Sequence, residues 1–105
     1  METKQLIGAR IRELRKNRHF TQEQLAEKMG INPKYLSGIE RGKENPTLDT
    51  FIKVAETLGV NIGELFYQLE VENPKKRLQA ILTLIEQAPT EQQRSALKVL
   101  SALFH

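Results

Sequence analysis

Residues 22–41 read QEQLAEKMGINPKYLSGIER, and their apolar positions are spaced for two short helices meeting at a sharp turn. Leu25, Ala26 and Met29 lie along one helical face, and Ile31, Leu36 and Ile39 along the next. A steep, close crossing needs a small residue at the contact, supplied by Ala26, and a sharp turn, supplied by Gly30. The second helix is a poor one in isolation. Pro33 stands near its start and Gly38 in its middle, where glycine costs roughly 0.5–1 kcal/mol relative to alanine. Its inner face, Leu36, Ile39 and Glu40, must therefore supply the fixing that intrinsic propensity does not.

The flanks repeat one start signal three times. Phe20-Thr21-Gln22-Glu23-Gln24-Leu25, Ile31-Asn32-Pro33-Lys34-Tyr35-Leu36 and Val60-Asn61-Ile62-Gly63-Glu64-Leu65 each set a polar cap between two apolar residues that can staple the first turn. Gln24 and Glu64 add the reciprocal half of a capping box to the first and third copies. Gly30 and Gly59 each follow an apolar run and suit the left-handed position after a helix, and Gly42 suits it after Arg41. Pro46-Thr47 restarts the chain, with Thr47 as cap and Asp49 in the favourable first turn of a helix buried through Leu48, Phe51, Ile52, Ala55 and Leu58. Upstream, Leu6, Ile7, Ala9, Ile11 and Leu14 predict a helix over about residues 3–18 with a basic outer face. Strand signals are nearly absent. The expectation is a compact all-α domain of five short helices over residues 1–70, with a helix-turn-helix at its centre.

After Glu70 the pattern changes. Asn73-Pro74 opens a helix with Leu78, Ile81, Leu82 and Ile85 on one face; Pro89 breaks it. Thr90 with Gln93 caps another helix lined by Leu97, Leu100, Leu103 and Phe104. A two-helix hairpin over residues 71–105 buries too little surface alone, so its apolar face must pack on the first domain or on a second subunit.

The 105 residues are 39% hydrophobic and 28% charged, as in a globular domain. Cysteine is absent, and the only imidazoles are His19 and His105, so a metal site or a Ser-His-Asp arrangement has almost nothing to be built from. No cofactor motif is present, and no nucleophile–base pair or ligand cluster stands at usable spacing, so an enzyme is not expected. There is no signal-peptide core and no membrane-length apolar run, which makes a cytoplasmic location the expectation. Charge is uneven: residues 1–43 carry ten Lys/Arg against five Glu, whereas residues 44–70 carry one Lys against five acids. That polarity suits a polyanion on one face.

The stretch FTQEQLAEKMGINPKYLSGIERGKENPTLDTFIKVAETLGVNIGELF, residues 20–66, resembles the phage Cro/repressor (XRE-type) helix-turn-helix family. The signatures are Thr21-Gln22, Leu25-Ala26, Gly30, Leu36-Ser37-x-Ile39-Glu40-Arg41-Gly42, Pro46 and Leu58-Gly59-Val60. The resemblance implies a five-helix lambda-repressor-like DNA-binding domain followed here by the C-terminal hairpin as dimerisation element. It implies a transcriptional regulator, a repressor, acting in the cytoplasm of a bacterial or phage system at the nucleoid. A homodimer would bind a near-palindromic double-stranded operator with recognition helix 32–41 in the major groove. The alternative is an antitoxin or interaction adaptor that uses the same fold to bind another protein.

Carried over by position, Asn32, Pro33 and Lys34 match the end of the recognition helix that points at base edges. Lys34 is either a donor to guanine or a solvated or phosphate-bound lysine; Asn32 either reads adenine or is occupied as the cap. Ser37 and Gly38 lie one turn further along the outer face, Gly38 in place of the family's more usual long polar residue. Tyr35 is either a backbone contact or a half-buried aromatic. Gln22 matches a phosphate-contacting glutamine at a helix start, with an ordinary exposed glutamine as the alternative. Lys43, Asn45 and the backbone around Thr47 match a phosphate-contacting loop. Arg41 is a phosphate contact or a helix C-terminal charge. Arg15 and Glu40 match a partly buried structural ion pair. His19 is given no role.

Overall fold

The helical elements that start at Gln22, Pro33, Leu48 and Ile62 each begin at a polar side chain that takes up an amide the helix cannot use. The computed structural model describes residues 3–67 and, beyond them, the helical residues Lys75, Gln79 and Leu82. Its helices are α1 (Thr3–Asn17), α2 (Gln22–Met29), α3 (Pro33–Glu40) and α4 (Leu48–Leu58), followed by a 3₁₀ helix, Ile62–Phe66. Among the described residues the fold is all-helical, with four α-helices where five were expected; the fifth element is the 3₁₀ helix. The hairpin of residues 71–105 and the domain division that rests on it lie outside the described residues. So do Leu78, Ile81, Ile85, Leu97, Leu100, Leu103 and Phe104; of that set Leu82 is described, as exposed.

The Thr21 hydroxyl accepts from the Gln24 amide at 3.0 Å, and Gln24 Oε1 accepts from the Thr21 amide at 2.9 Å, completing the expected capping box. Asn32 Oδ1 caps α3 through the Lys34 amide at 2.8 Å, and Thr47 caps α4 through the Thr50 amide at 3.2 Å. The second capping box is not formed. Asn61 Oδ1 accepts from the Gly63 amide at 2.8 Å, and the Glu64 amide donates to the Asn61 carbonyl at 2.9 Å. Asn61 thus caps the amide two residues on, as Asn32 does, and Glu64 is not its partner. Phe20, Ile31 and Val60, the residues before three of these caps, are half-buried against the core as staples require.

Helix ends are as regular as the starts. Gly30, Gly42 and Gly59 have φ near +70, and the next amide reaches back to the carbonyl five residues earlier: Ile31 to Ala26, Lys43 to Gly38 and Val60 to Ala55. Helix α1 ends the same way, with the Phe20 amide on the Arg15 carbonyl at 3.2 Å. There the left-handed residue is His19, at φ 59. Histidine is among the few non-glycine residues that occupy this region with any frequency, and His19 had shown no such signal in the sequence.

The core joins Ile7, Ile11 and Leu14 of α1, Leu25, Ala26 and Met29 of α2, Leu36 and Ile39 of α3, five residues of α4, and Ile62, Leu65 and Phe66. The Phe66 ring lies 6.4 Å from that of Phe51, tilted by 59°. Two positions differ from the expected stripes. Ala9 faces solvent and Gly8 is buried in its stead, while in α4 Val54 is buried and Ile52 only partly. Gly8 is required by proximity: a Cβ there would fall on the Ile39 carbonyl oxygen and within 2.6 Å of that of Glu40. Helix α1 therefore rests backbone to backbone on the last turn of α3. Gly42 continues that contact, since a Cβ on it would lie 2.8 Å from the Gln5 backbone. Among the described residues no helix is long and apolar enough to cross a membrane.

Candidate nucleic-acid interface

What holds the weak α3 in place is a carboxylate. Glu40 is buried in the last turn, and Arg15 of α1 donates to both its oxygens, Nε to Oε2 at 2.8 Å and Nη2 to Oε1 at 3.1 Å. The side chains are 8% and 1% exposed. The remaining Arg15 nitrogen, Nη1, donates to the Phe20 carbonyl at 2.7 Å, and Gln22 Nε2 adds a third bond to Glu40 at 3.1 Å. A buried charge is tolerated only when its hydrogen-bonding capacity is met, and here both partners are largely satisfied. The expected Arg15–Glu40 pair is present, and it fastens α1, α2 and α3 at one point. Gln22, expected to meet phosphate, is half-buried with its amide on Glu40.

With Leu36, Ile39 and Glu40 turned inward, the opposite face of α3 is outward. Asn32, Pro33, Lys34 and Arg41 are exposed, Ser37 is half-exposed, and Tyr35 is half-buried against the core. Asn32 Oδ1 is taken by the cap, the second of the two roles open to it. Arg41 Nε folds back 3.4 Å from the Ser37 carbonyl, a long contact on the C-terminal end of its own helix, where positive charge is favourable. Helix α2 precedes α3 in the chain, and the amides of its first turn, those of Gln22 and Glu23, are of the kind a helix N-terminus leaves without intrahelical partners.

The loop 41–47 is fixed at several points. The Lys43 amide donates to the Gly38 carbonyl at 2.8 Å, and Lys4 Nζ donates to Asn45 Oδ1 at 2.8 Å. Asn45 thus pairs with the first turn of α1, and Lys4, one of the ten basic residues of the N-terminal segment, stands beside the loop. Lys43 and Thr47 are exposed, Thr47 with its hydroxyl committed to the cap. Gly38 corrects the expectation of an open outer face. It is buried, and a Cβ there would meet the Glu44 side chain, 2.7 Å from Cγ and 3.1 Å from Oε1. The loop doubles back over the helix and covers the glycine.

The helix-turn-helix family model HTH_3 matches residues 11–65. An immunity repressor protein of Bacillus phage phi105 is 44% identical over 59 residues, 56% of this chain and 41% of the repressor. The cryptic phage CTXphi transcriptional repressor RstR of Vibrio cholerae is 30% identical over 98 residues, 93% of this chain and 87% of RstR. Among solved structures, the restriction-modification controller protein C.AhdI of Aeromonas hydrophila superposes with a TM-score of 0.58 at 39% identity, covering 59% of this chain and 94% of that one.

Proposed function

The chain belongs to the HTH_3 helix-turn-helix family of DNA-binding transcriptional regulators, and from this we propose that it is a repressor that binds a near-palindromic operator as a homodimer. The observation that carries the reading is the anchorage of α3. A helix with little propensity of its own is held by a buried carboxylate, while the face bearing Lys34, Ser37 and Arg41 is left outward. In this reading Lys34 donates to guanine O6 and N7, and Lys43 and the α2 N-terminus contact phosphate. Two copies joined through residues 71–105 would place their recognition helices about 34 Å apart, on successive turns of the major groove. Repressors and a controller protein among the relatives favour this over the antitoxin or adaptor alternative.

Selection of bound duplexes from a random pool tests the proposal. The expected product is one motif with two inverted half-sites centred about 10 base pairs apart. A pool that remains random after repeated rounds would refute it.

A further inference from the structure

The Glu44 side chain lies over Gly38 of α3, and none of the contacts proposed above uses it. Gly38 follows Lys34 by four residues and precedes Arg41 by three, so it belongs to the outward face of the helix. It is nevertheless buried, because the Glu44 side chain runs across it from Cγ to the carboxylate. The position of that side chain is built into the fold. Gly42 at φ +73 turns the chain, the Lys43 amide is bonded to the Gly38 carbonyl, and Lys4 holds Asn45 on the other side. The Glu44 carboxylate makes no hydrogen bond or ion pair with another described residue.

We propose that Glu44 is a specificity-determining residue that accepts a hydrogen bond from the N4 amino group of a cytosine facing Gly38 in the major groove. This rests on the operator-binding reading above. An unpartnered carboxylate brought into the groove must find a donor or remain desolvated without one. Cytosine offers there a lone N4 donor. Adenine offers its N6 donor beside the N7 acceptor, while guanine and thymine present acceptors that repel a carboxylate. The absent Cβ of Gly38 makes room for this side chain, so the loop supplies the base contact that the helix position itself cannot.

The test measures affinity for a panel of operators carrying each base at every half-site position. The full-length wild type is expected to prefer cytosine at one symmetric position by roughly tenfold. Glu44→Ala is expected to lose that preference there and keep the others, and Glu44→Gln to move it toward adenine, which glutamine reads with two bonds. Gly38→Ala, whose methyl group would displace the Glu44 side chain, is expected to lose the same preference. Uniformly tighter binding of Glu44→Ala to every operator, with the base preferences intact, would overturn the proposal and reduce Glu44 to a source of repulsion. A wild type that selects no operator at all would overturn the regulator reading together with it.

Discussion

At Glu40 one carboxylate receives two guanidinium N–H groups and a carboxamide from two other helices. Removing one member of a buried pair strands the other in a poorly solvated site. Glu40→Ala is therefore expected to lower unfolding free energy by about 3–5 kcal/mol, read from urea denaturation. The double variant Arg15→Met, Glu40→Leu should recover much of that loss, because no charge is left uncompensated. A double variant no more stable than the single one would contradict this account of the pair. Lys34 and Lys43 separate by a different readout. Lys34→Ala should relax sequence preference at one operator position, whereas Lys43→Ala should weaken all sequences alike and flatten the salt dependence by about one contact per subunit. Identical changes in a binding-site selection would show that base and phosphate contacts had been assigned to the wrong residues.

Among the helices, the decisive relation is that of α1 to α3. Gly8 and Gly42 let the first helix lie directly on the end of the recognition helix, and the Arg15–Glu40 bonds tie them a little further along. Gly8→Ala raises helix propensity yet forces a methyl group into the Ile39 and Glu40 carbonyls. It should destabilise by about 1–3 kcal/mol and reduce operator affinity through a displaced α3, measurable by denaturation and by titration of folded protein. A variant more stable than wild type would show that α1 does not press on α3. Such close approaches explain where the sequence was readable and where it was not. Caps at Thr21, Asn32 and Thr47 and the turns at Gly30, Gly42 and Gly59 rest on chemistry within a few residues, and all were legible. Gly8, the Lys4–Asn45 bond and the cover of Gly38 by Glu44 depend on residues brought together from different elements or turned back by a loop. His19 was missed for another reason: it takes the left-handed conformation that glycine usually marks. The box expected at Glu64 did not form because the Asn61 side chain takes the Gly63 amide and the Glu64 amide bonds to the Asn61 carbonyl instead.

For the molecule as a whole, the excess of positive charge over residues 1–43 matches the segment that carries α3, while residues 44–70 are acidic. A polyanion would therefore be drawn to the segment that carries α3. If residues 71–105 join two copies, deletion of residues 73–105 should yield a monomer in sedimentation that binds half-sites weakly. A truncated protein that remains dimeric would place the interface within residues 1–72. The central claim, that this basic face engages duplex DNA, is tested most directly by titrating the full chain onto duplex DNA at several salt concentrations. The account predicts affinity falling linearly on logarithmic axes, by about a hundredfold between roughly 50 and 200 mM salt for a dimer making about four phosphate contacts. Absence of binding at the lowest salt would contradict it.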